Sequence, residues 1–283
     1  MNILVTGGAG FIGSHLVDEL VKKGHDVDVV DDLSIGNFSN IRKHRDISEF
    51  YFLDEKVESI KRWVGDFDVV YHLAAQHSVP DSMKNPMKYY KANVLGTANM
   101  LKFFPDARFV NISSSSAIEC KSPYAISKKA GELMTNLHKN SVSLRLFNVF
   151  GERQADLGCI MTEFAKNMMK DEPPVIYGDG SQTRDFTYVK DVVTEILRYG
   201  QGKKKKLNGI YEVGYGDSIS VNKACSIMHK LFGSTALPEY GEPRAGDIWY
   251  SRAKNKMVNP KYGFKKGLER TVKWIKANPE WYS

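Results

Sequence analysis

Gly7-Gly-Ala-Gly-Phe-Ile-Gly13 is the stretch on which the reading of this chain turns. It follows the apolar run 3–6 directly and opens the run 11–23, in which Ile12, Leu16 and Leu20 share one helical face. Gly7 permits a tight turn, Gly10 lets backbone approach a pyrophosphate, and Gly13 lets a helix pack close to a strand. The first backbone N–H groups of such a helix, at Phe11 and Ile12, then face the phosphates with the positive end of the helix dipole. Asp31 lies 18 residues beyond Gly13, at the end of a second strand-like run, 26–31. A carboxylate there accepts hydrogen bonds from a ribose diol and repels a 2′-phosphate, so the expected dinucleotide is NAD rather than NADP. Asp32 is the alternative ribose ligand, but the strand period turns it to the other side.

Outward from this turn, short apolar runs at 50–53, 67–73, 108–113 and 143–147 alternate with long amphipathic stretches at 87–104 and 123–139. That rhythm is the signature of βαβ units, so the expected fold class is α/β, a Rossmann-type doubly wound parallel sheet. After Gly151 the alternation loosens: a helix at 161–170, a short strand at 175–177, a polar turn at 178–181, and helices at 221–232 and 268–277. The expected organisation is an NAD-binding domain over 1–150, with later strands returning near 175–200 and 210–214. A smaller, interwoven substrate lobe is expected over 151–283.

Composition narrows the classes. With 283 residues and 42% apolar content the chain can bury a globular core. No apolar run reaches the roughly 18 residues of a membrane helix, and because strand-like residues begin at Asn2 no signal peptide is expected. Cys120, Cys159 and Cys225 are odd in number and far apart, so neither a disulfide framework nor a metal site is expected, and the setting is read as cytoplasmic. The formal charge of +7 includes a four-lysine run at 203–206, read as solvated surface rather than as a nucleic-acid site.

Tyr124 and Lys128 stand one helical turn apart on one face, where an ammonium favours a phenolate and lets the tyrosine act as a base. The same spacing occurs at Tyr199–Lys203, Tyr250–Lys254 and Tyr262–Lys266, so spacing alone means little. Only Tyr124 follows a strand that ends in a serine run, 113–116, and opens an amphipathic helix.

These features, with His72-Leu-Ala-Ala-Gln76, Asn93-Val-Leu-Gly-Thr97, Arg145-Leu-Phe-Asn-Val-Phe-Gly151, the stretch from Gly178 to Tyr188, and Pro243-Arg-Ala-Gly-Asp247, run in order along nearly the whole chain. In them the chain resembles the extended short-chain dehydrogenase/reductase family, specifically its nucleotide-sugar epimerases and dehydratases, of which UDP-glucose 4-epimerase is the type. The resemblance implies that Leu73, Ala74 and Ala75 line the cofactor and that Asn93 helps hold that region. It implies Ser115 as the catalytic serine, with Ser116 the choice if the run is shifted by one. Tyr124 would take the sugar hydroxyl proton, and Lys128 would bind the nicotinamide ribose. Asn148, Arg184 and Arg244, together with Asp247, fall at substrate-contacting positions; two guanidiniums suit a diphosphate through their planar forks. A homodimer is implied as well, through helices at 93–104 and 124–138.

Dehydratases of the family carry an Asp-Glu pair just after the catalytic serine or threonine; here those positions are Ser116 and Ala117. Glu119 comes two residues late, and Cys120 stands where the family usually has glycine. Without an elimination acid, 4-epimerisation of a nucleotide-diphosphate sugar is the expected outcome. The alternatives are a 4,6-dehydratase or other C4-oxidising relative, and a non-catalytic NAD-binding sensor of the same fold. Nine positions separate Ser115 from Tyr124, where typical members insert a longer loop.

Overall fold

The computed structural model describes all residues except 64, 156–158, 203–207, 244–248, 258 and 283. The described elements begin β1 (Asn2–Thr6), α1 (Phe11–Lys22), β2 (Asp26–Val30), β3 (Phe50–Leu53), β4 (Val69–His72), α2 (Val79–Lys84) and α3 (Pro86–Tyr89). A π-helical segment (Tyr90–Leu95) joins α3 to α4 (Gly96–Phe103), and β5 (Arg108–Ser114), a 3₁₀ turn (Ser115–Ile118), α5 (Pro123–Asn136) and β6 (Ser141–Leu146) follow. Beyond them lie β7 (Val149–Phe150), α6 (Ile160–Met169), β8 (Val175–Tyr177), β9 (Thr183–Arg184), β10 (Thr187–Tyr188) and α7 (Val189–Gln201). The last are β11 (Ile210–Val213), β12 (Ile219–Ser220), α8 (Val221–Phe232), β13 (Glu239–Gly241) and α9 (Gly263–Ala277).

Two compact units result. The first comprises Met1–Leu146 and Val193–Glu212, the second Phe147–Val192 and Val213–Ser283. The first unit holds a seven-stranded sheet in the order β11-β6-β5-β4-β1-β2-β3. Every pair from β3 across to β6 is parallel, which confirms the α/β Rossmann-like class. Ile3, Leu4 and Val5 are fully buried, as a strand covered on both faces requires. Sequence order reverses between β1 and β4, so the chain leaves their C-terminal ends in opposite directions and opens a crevice there, where this architecture binds ligands.

Three elements depart from the sequence reading. The strand at 175–177 does not return to the main sheet: β8 pairs in parallel with β13 in the second unit, because β11 occupies the edge beside β6. What does return is the 193–201 part of α7, and β11 itself. The helix expected at 87–104 is interrupted by the π-helical segment.

In the second unit, three two-stranded sheets (β10·β7, β12·β9 and β13·β8) accompany α6, α8 and α9. Two acids of the Arg184–Asp191 stretch organise it. Asp191 accepts from the N–H groups of Lys261 (2.9 Å), Tyr262 (3.1 Å) and Gly263 (2.9 Å), compensating the positive N-terminal end of α9. Buried Asp185 accepts from the N–H groups of Tyr215 (3.0 Å), Gly216 (2.9 Å) and Ala253 (3.1 Å). Neither acid was singled out by the sequence.

Candidate active site

The glycine turn joins β1 to α1 at the crevice. Gly7 has φ +70°, and a Cβ there would stand 2.7 Å from Ala74 N, so the turn lies hard against the 73–76 loop after β4. At Gly13 a Cβ would collide with the Gly7 carbonyl oxygen, while at Gly10 its only neighbour within 4 Å would be that same oxygen, at 3.2 Å. Gly10 therefore faces open space, and the N–H groups at the start of α1 lack helical partners; this cradle fits a pyrophosphate. Beside it Asp31 is 93% buried, its Oδ2 accepting from Ala9 N–H (2.9 Å) and its Oδ1 from Leu33 N–H (3.0 Å). Burial raises its pKa and these N–H groups oppose the rise. Held this way, the carboxylate keeps lone pairs for a ribose diol, so the residues present fit NAD.

A string of hydrogen bonds runs from the 73–76 loop to α5. Asn93, in the π-helical segment, accepts from Gln76 N–H (2.8 Å) and donates to Gln76 O (2.9 Å) and Ser127 Oγ (2.8 Å). Ser127 donates in turn to the carbonyl of Tyr124 (2.7 Å). Asn93 thus clamps the cofactor-side loop and α5 together through its own side chain. Its neighbour Thr97 donates to Asn93 O (2.6 Å), a group that can only accept. The contact between Thr97 Oγ1 and His72 Nε2 (3.0 Å) must therefore be donated by His72, which leaves Nδ1 to accept from Thr6 Oγ1 (2.8 Å). Burial, with Lys128 nearby, pulls the His72 pKa down to about 3. Ring-nitrogen NMR is expected to show His72 as one neutral form, protonated at Nε2, from about pH 5 to about pH 8; a titrating ring or the opposite tautomer refutes this arrangement.

β5 delivers the serine run to the same end of the sheet, and its hydroxyls divide. Ser113 Oγ donates to Glu132 Oε1 (2.8 Å), and Ser114 Oγ accepts from Ser116 N–H (3.2 Å). Among the described residues the hydroxyls of Ser115 and Ser116 have no such commitment, and both residues are half-buried. The chain then turns within a few residues into α5, capped by Ser122 Oγ on Ala125 N–H (3.1 Å), with Pro123 at the first helical position. Tyr124, 91% buried, lies edge-on to Tyr89 with ring centroids 6.3 Å apart.

Burial lowers the Lys128 pKa to about 8, and Glu132, one helical turn on, opposes that shift. Between that value and its ordinary 10.5 the unfolded chain holds the extra proton, so stability of the ligand-free chain should rise with pH through this window. Lys128→Met is expected to abolish that rise, measured as the parent-minus-variant difference in Tm; a difference flat with pH would contradict a desolvated, half-buried ammonium.

The sequence did not single out Glu132. It is fully buried and joins three elements: Oε1 accepts from Ser113 and from Arg145 Nε (2.7 Å), and Oε2 from Arg145 Nη2 (2.8 Å) and Lys129 Nζ (3.3 Å). Glu119 is different. It is exposed and paired with Lys121 at 2.6 Å.

Asn148 and Arg184 belong to the second unit. Asn148 is exposed beside β7, its carbonyl accepting from Thr187 N–H (3.1 Å); Arg184 in β9 is half-buried and donates to Thr183 O (2.9 Å). Arg244, Asp247 and the 203–206 lysine run lie outside the described residues. Among the described residues no cluster of metal-ligating side chains occurs, and no helix is long and apolar enough to cross a membrane.

A family profile described as the NAD dependent epimerase/dehydratase family matches residues 3–214. A putative UDP-glucose 4-epimerase of Methanocaldococcus jannaschii is 34% identical, over 98% of this chain and 99% of its own. That alignment has 308 positions against 283 residues here, so the relative carries stretches this chain lacks. A UDP-N-acetylglucosamine 4-epimerase from Methanobrevibacter ruminantium, solved with UDP-N-acetylmuramic acid, superposes with a TM-score of 0.91 at 31% identity, covering 98% of each chain. A UDP-glucuronic acid 4-epimerase from Bacillus cereus, solved with UDP-glucuronic acid and NAD, gives 0.87 at 30% identity, covering 98% of this chain and 99% of its own.

Proposed function

The chain belongs to the NAD-dependent epimerase/dehydratase family, and from that premise we propose that it is a nucleotide-sugar 4-epimerase acting on a UDP-sugar of the glucose/galactose type. The observation that carries this reading is the chemistry beside Ser115: Ser116 and Ala117 offer no acid, and the next carboxylate, Glu119, is spent in an exposed pair with Lys121. An elimination needs an acid or base at that point, and epimerisation does not.

The cradle from Gly7 to Gly13, Asp31 and the Leu73–Ala75 loop would hold NAD, which supplies hydride acceptance and return at the sugar C4. Tyr124 takes and returns the C4 hydroxyl proton, with Ser115 donating a hydrogen bond to the same oxygen. The Lys128 ammonium favours the phenolate and would bind the nicotinamide ribose of the cofactor. Asn148, Arg184, Arg244 and Asp247 hold the diphosphate and sugar. Incubation with a panel of UDP-sugars, read by NMR, is expected to give interconverted 4-epimers; a 4-keto-6-deoxy product would replace this reading with a dehydratase.

We further propose a homodimer through α2–α5. Ile126 and Leu133 on α5 and Leu137 directly after it are 46%, 59% and 86% exposed; spaced by seven and four residues, they form one stripe. Met83, Met87 and Leu95 on the preceding helices are likewise exposed. An apolar face of this kind suits a self-complementary two-fold contact. Leu133→Glu is expected to convert the dimer to monomer in light scattering with the fold retained; a parent that is itself monomeric refutes the assignment.

A further inference from the structure

The positive charge of this protein is concentrated in one stretch of its sequence. Residues 252–276 hold nine lysines and arginines and a single acid, Glu269, a net of +8 against +7 for the whole chain, so the rest of the molecule is close to neutral. Most of this segment is α9. At 100° per residue, Gly267, Leu268, Thr271, Val272 and Ile275 occupy one side of that helix, and all are buried. The opposite arc, about 140° wide, carries Lys265, Lys266, Glu269, Arg270, Lys273 and Lys276, all exposed.

The patch continues past the helix start. The Lys261 and Lys266 ammoniums and the Arg270 guanidinium lie 5.4, 5.6 and 5.2 Å from the centroid of one ring, Tyr262. Lys276 is occupied in capping α8, donating to Leu231 O and Phe232 O (3.0 Å each). Arg270 Nε donates to the Tyr188 hydroxyl (3.1 Å) and stands 3.9 Å from Glu152 Oε1, so it borders the patch. That leaves Lys261, Lys265, Lys266 and Lys273 as a continuous cationic field on the second unit.

From this field we propose that the outer face of α9 docks the protein onto an anionic lipid surface. The arc consists of point charges, mostly lysine, with no exposed aromatic or amide side chain to stack on or read a base, and a single arginine for bidentate phosphate contact. These features favour a diffuse sheet of headgroups over a nucleic acid. The apolar side of α9 is committed to the core, with Leu268, Val272 and Ile275 at most 3% exposed, so the helix lies on the bilayer and does not enter it. Attachment is therefore purely electrostatic and reversible. It adds a peripheral contact to a chain in which, among the described residues, no helix is long and apolar enough to cross a membrane.

The test is co-sedimentation with vesicles of equal phosphatidylglycerol and phosphatidylcholine, beside pure phosphatidylcholine vesicles. The parent should partition onto the anionic vesicles at about 20 mM salt, leave them at about 300 mM, and ignore the neutral ones. Lys265→Gln/Lys266→Gln/Lys273→Gln removes three exposed charges at about fivefold in partitioning each, on the order of a hundredfold together. Lys22→Gln/Lys56→Gln/Lys61→Gln makes the same change in net charge at exposed sites in the other unit and should bind like the parent; equal Tm values show that both variants are folded. Failure of the parent to bind, equal losses in both variants, or tighter capture by an oligonucleotide than by the anionic vesicles would each overturn the proposal.

Discussion

Tyr124→Phe is expected to lower kcat on the best nucleotide-sugar by about 10²–10⁴-fold, the span a positioned acid–base group contributes, with Tm and NAD content unchanged. The substitution removes one oxygen and keeps the ring. That ring is 91% buried and packs against Tyr89, so an apolar replacement of the same shape preserves α5, while its cap at Ser122 and the Asn93–Ser127 clamp are untouched. With a Lys128 pKa of about 8, the ammonium is still mostly charged at neutrality and favours a phenolate that phenylalanine cannot form. Steady-state kinetics decide the matter: parental kcat in the variant removes Tyr124 from the mechanism.

The largest expected effect on stability is at Glu132. Glu132→Gln keeps the volume and can still accept from Ser113, but it deprives Arg145 of its bidentate partner. Removing one member of a buried pair costs about 3–5 kcal/mol, read as a lower urea midpoint with the slope unchanged. The sign of its pH dependence follows from the carboxyl. Burial pushes its pKa up, yet the hydrogen bonds from Arg145 and Ser113 outweigh burial and hold it below the usual range. The stabilisation is thus complete above the unfolded carboxylate pKa and disappears as pH falls through the lower folded one. The gap between parent and variant should close in acid; a gap independent of pH would show that shape at this position, not charge, is what α5 requires.

The sequence made the cofactor half legible because local chemistry and periodicity agreed there: three glycines, one acid and buried apolar strands. It was less legible where a side chain serves a distant backbone. Asp191 caps a helix some 70 residues on, and no spacing rule links the two. Glu132 carries a weak signal, i+4 from Lys128, but an acid on a helix reads as solvent-facing until its partners on β5 and β6 are known. α7 is hard to read because Val189, Val192 and Val193 favour strand by propensity, although their spacing, continued by Ile196 and Leu197, is helical. The lysine run at 203–206 is the conspicuous cluster of charge, but the excess lies in residues 252–276. Counting along the chain would have found it; an overall total does not.

The edge position of β11 has a consequence for synthesis. The main sheet is finished by residues 193–212, made only after the first stretch of the second unit has left the ribosome. Until then β6 is an open edge, with unpaired backbone groups that invite pairing with another chain. A gene fragment ending near residue 150 would freeze the nascent chain at that stage. The boundary that looks natural for cutting out a cofactor-binding domain is thus the one most prone to give aggregated product.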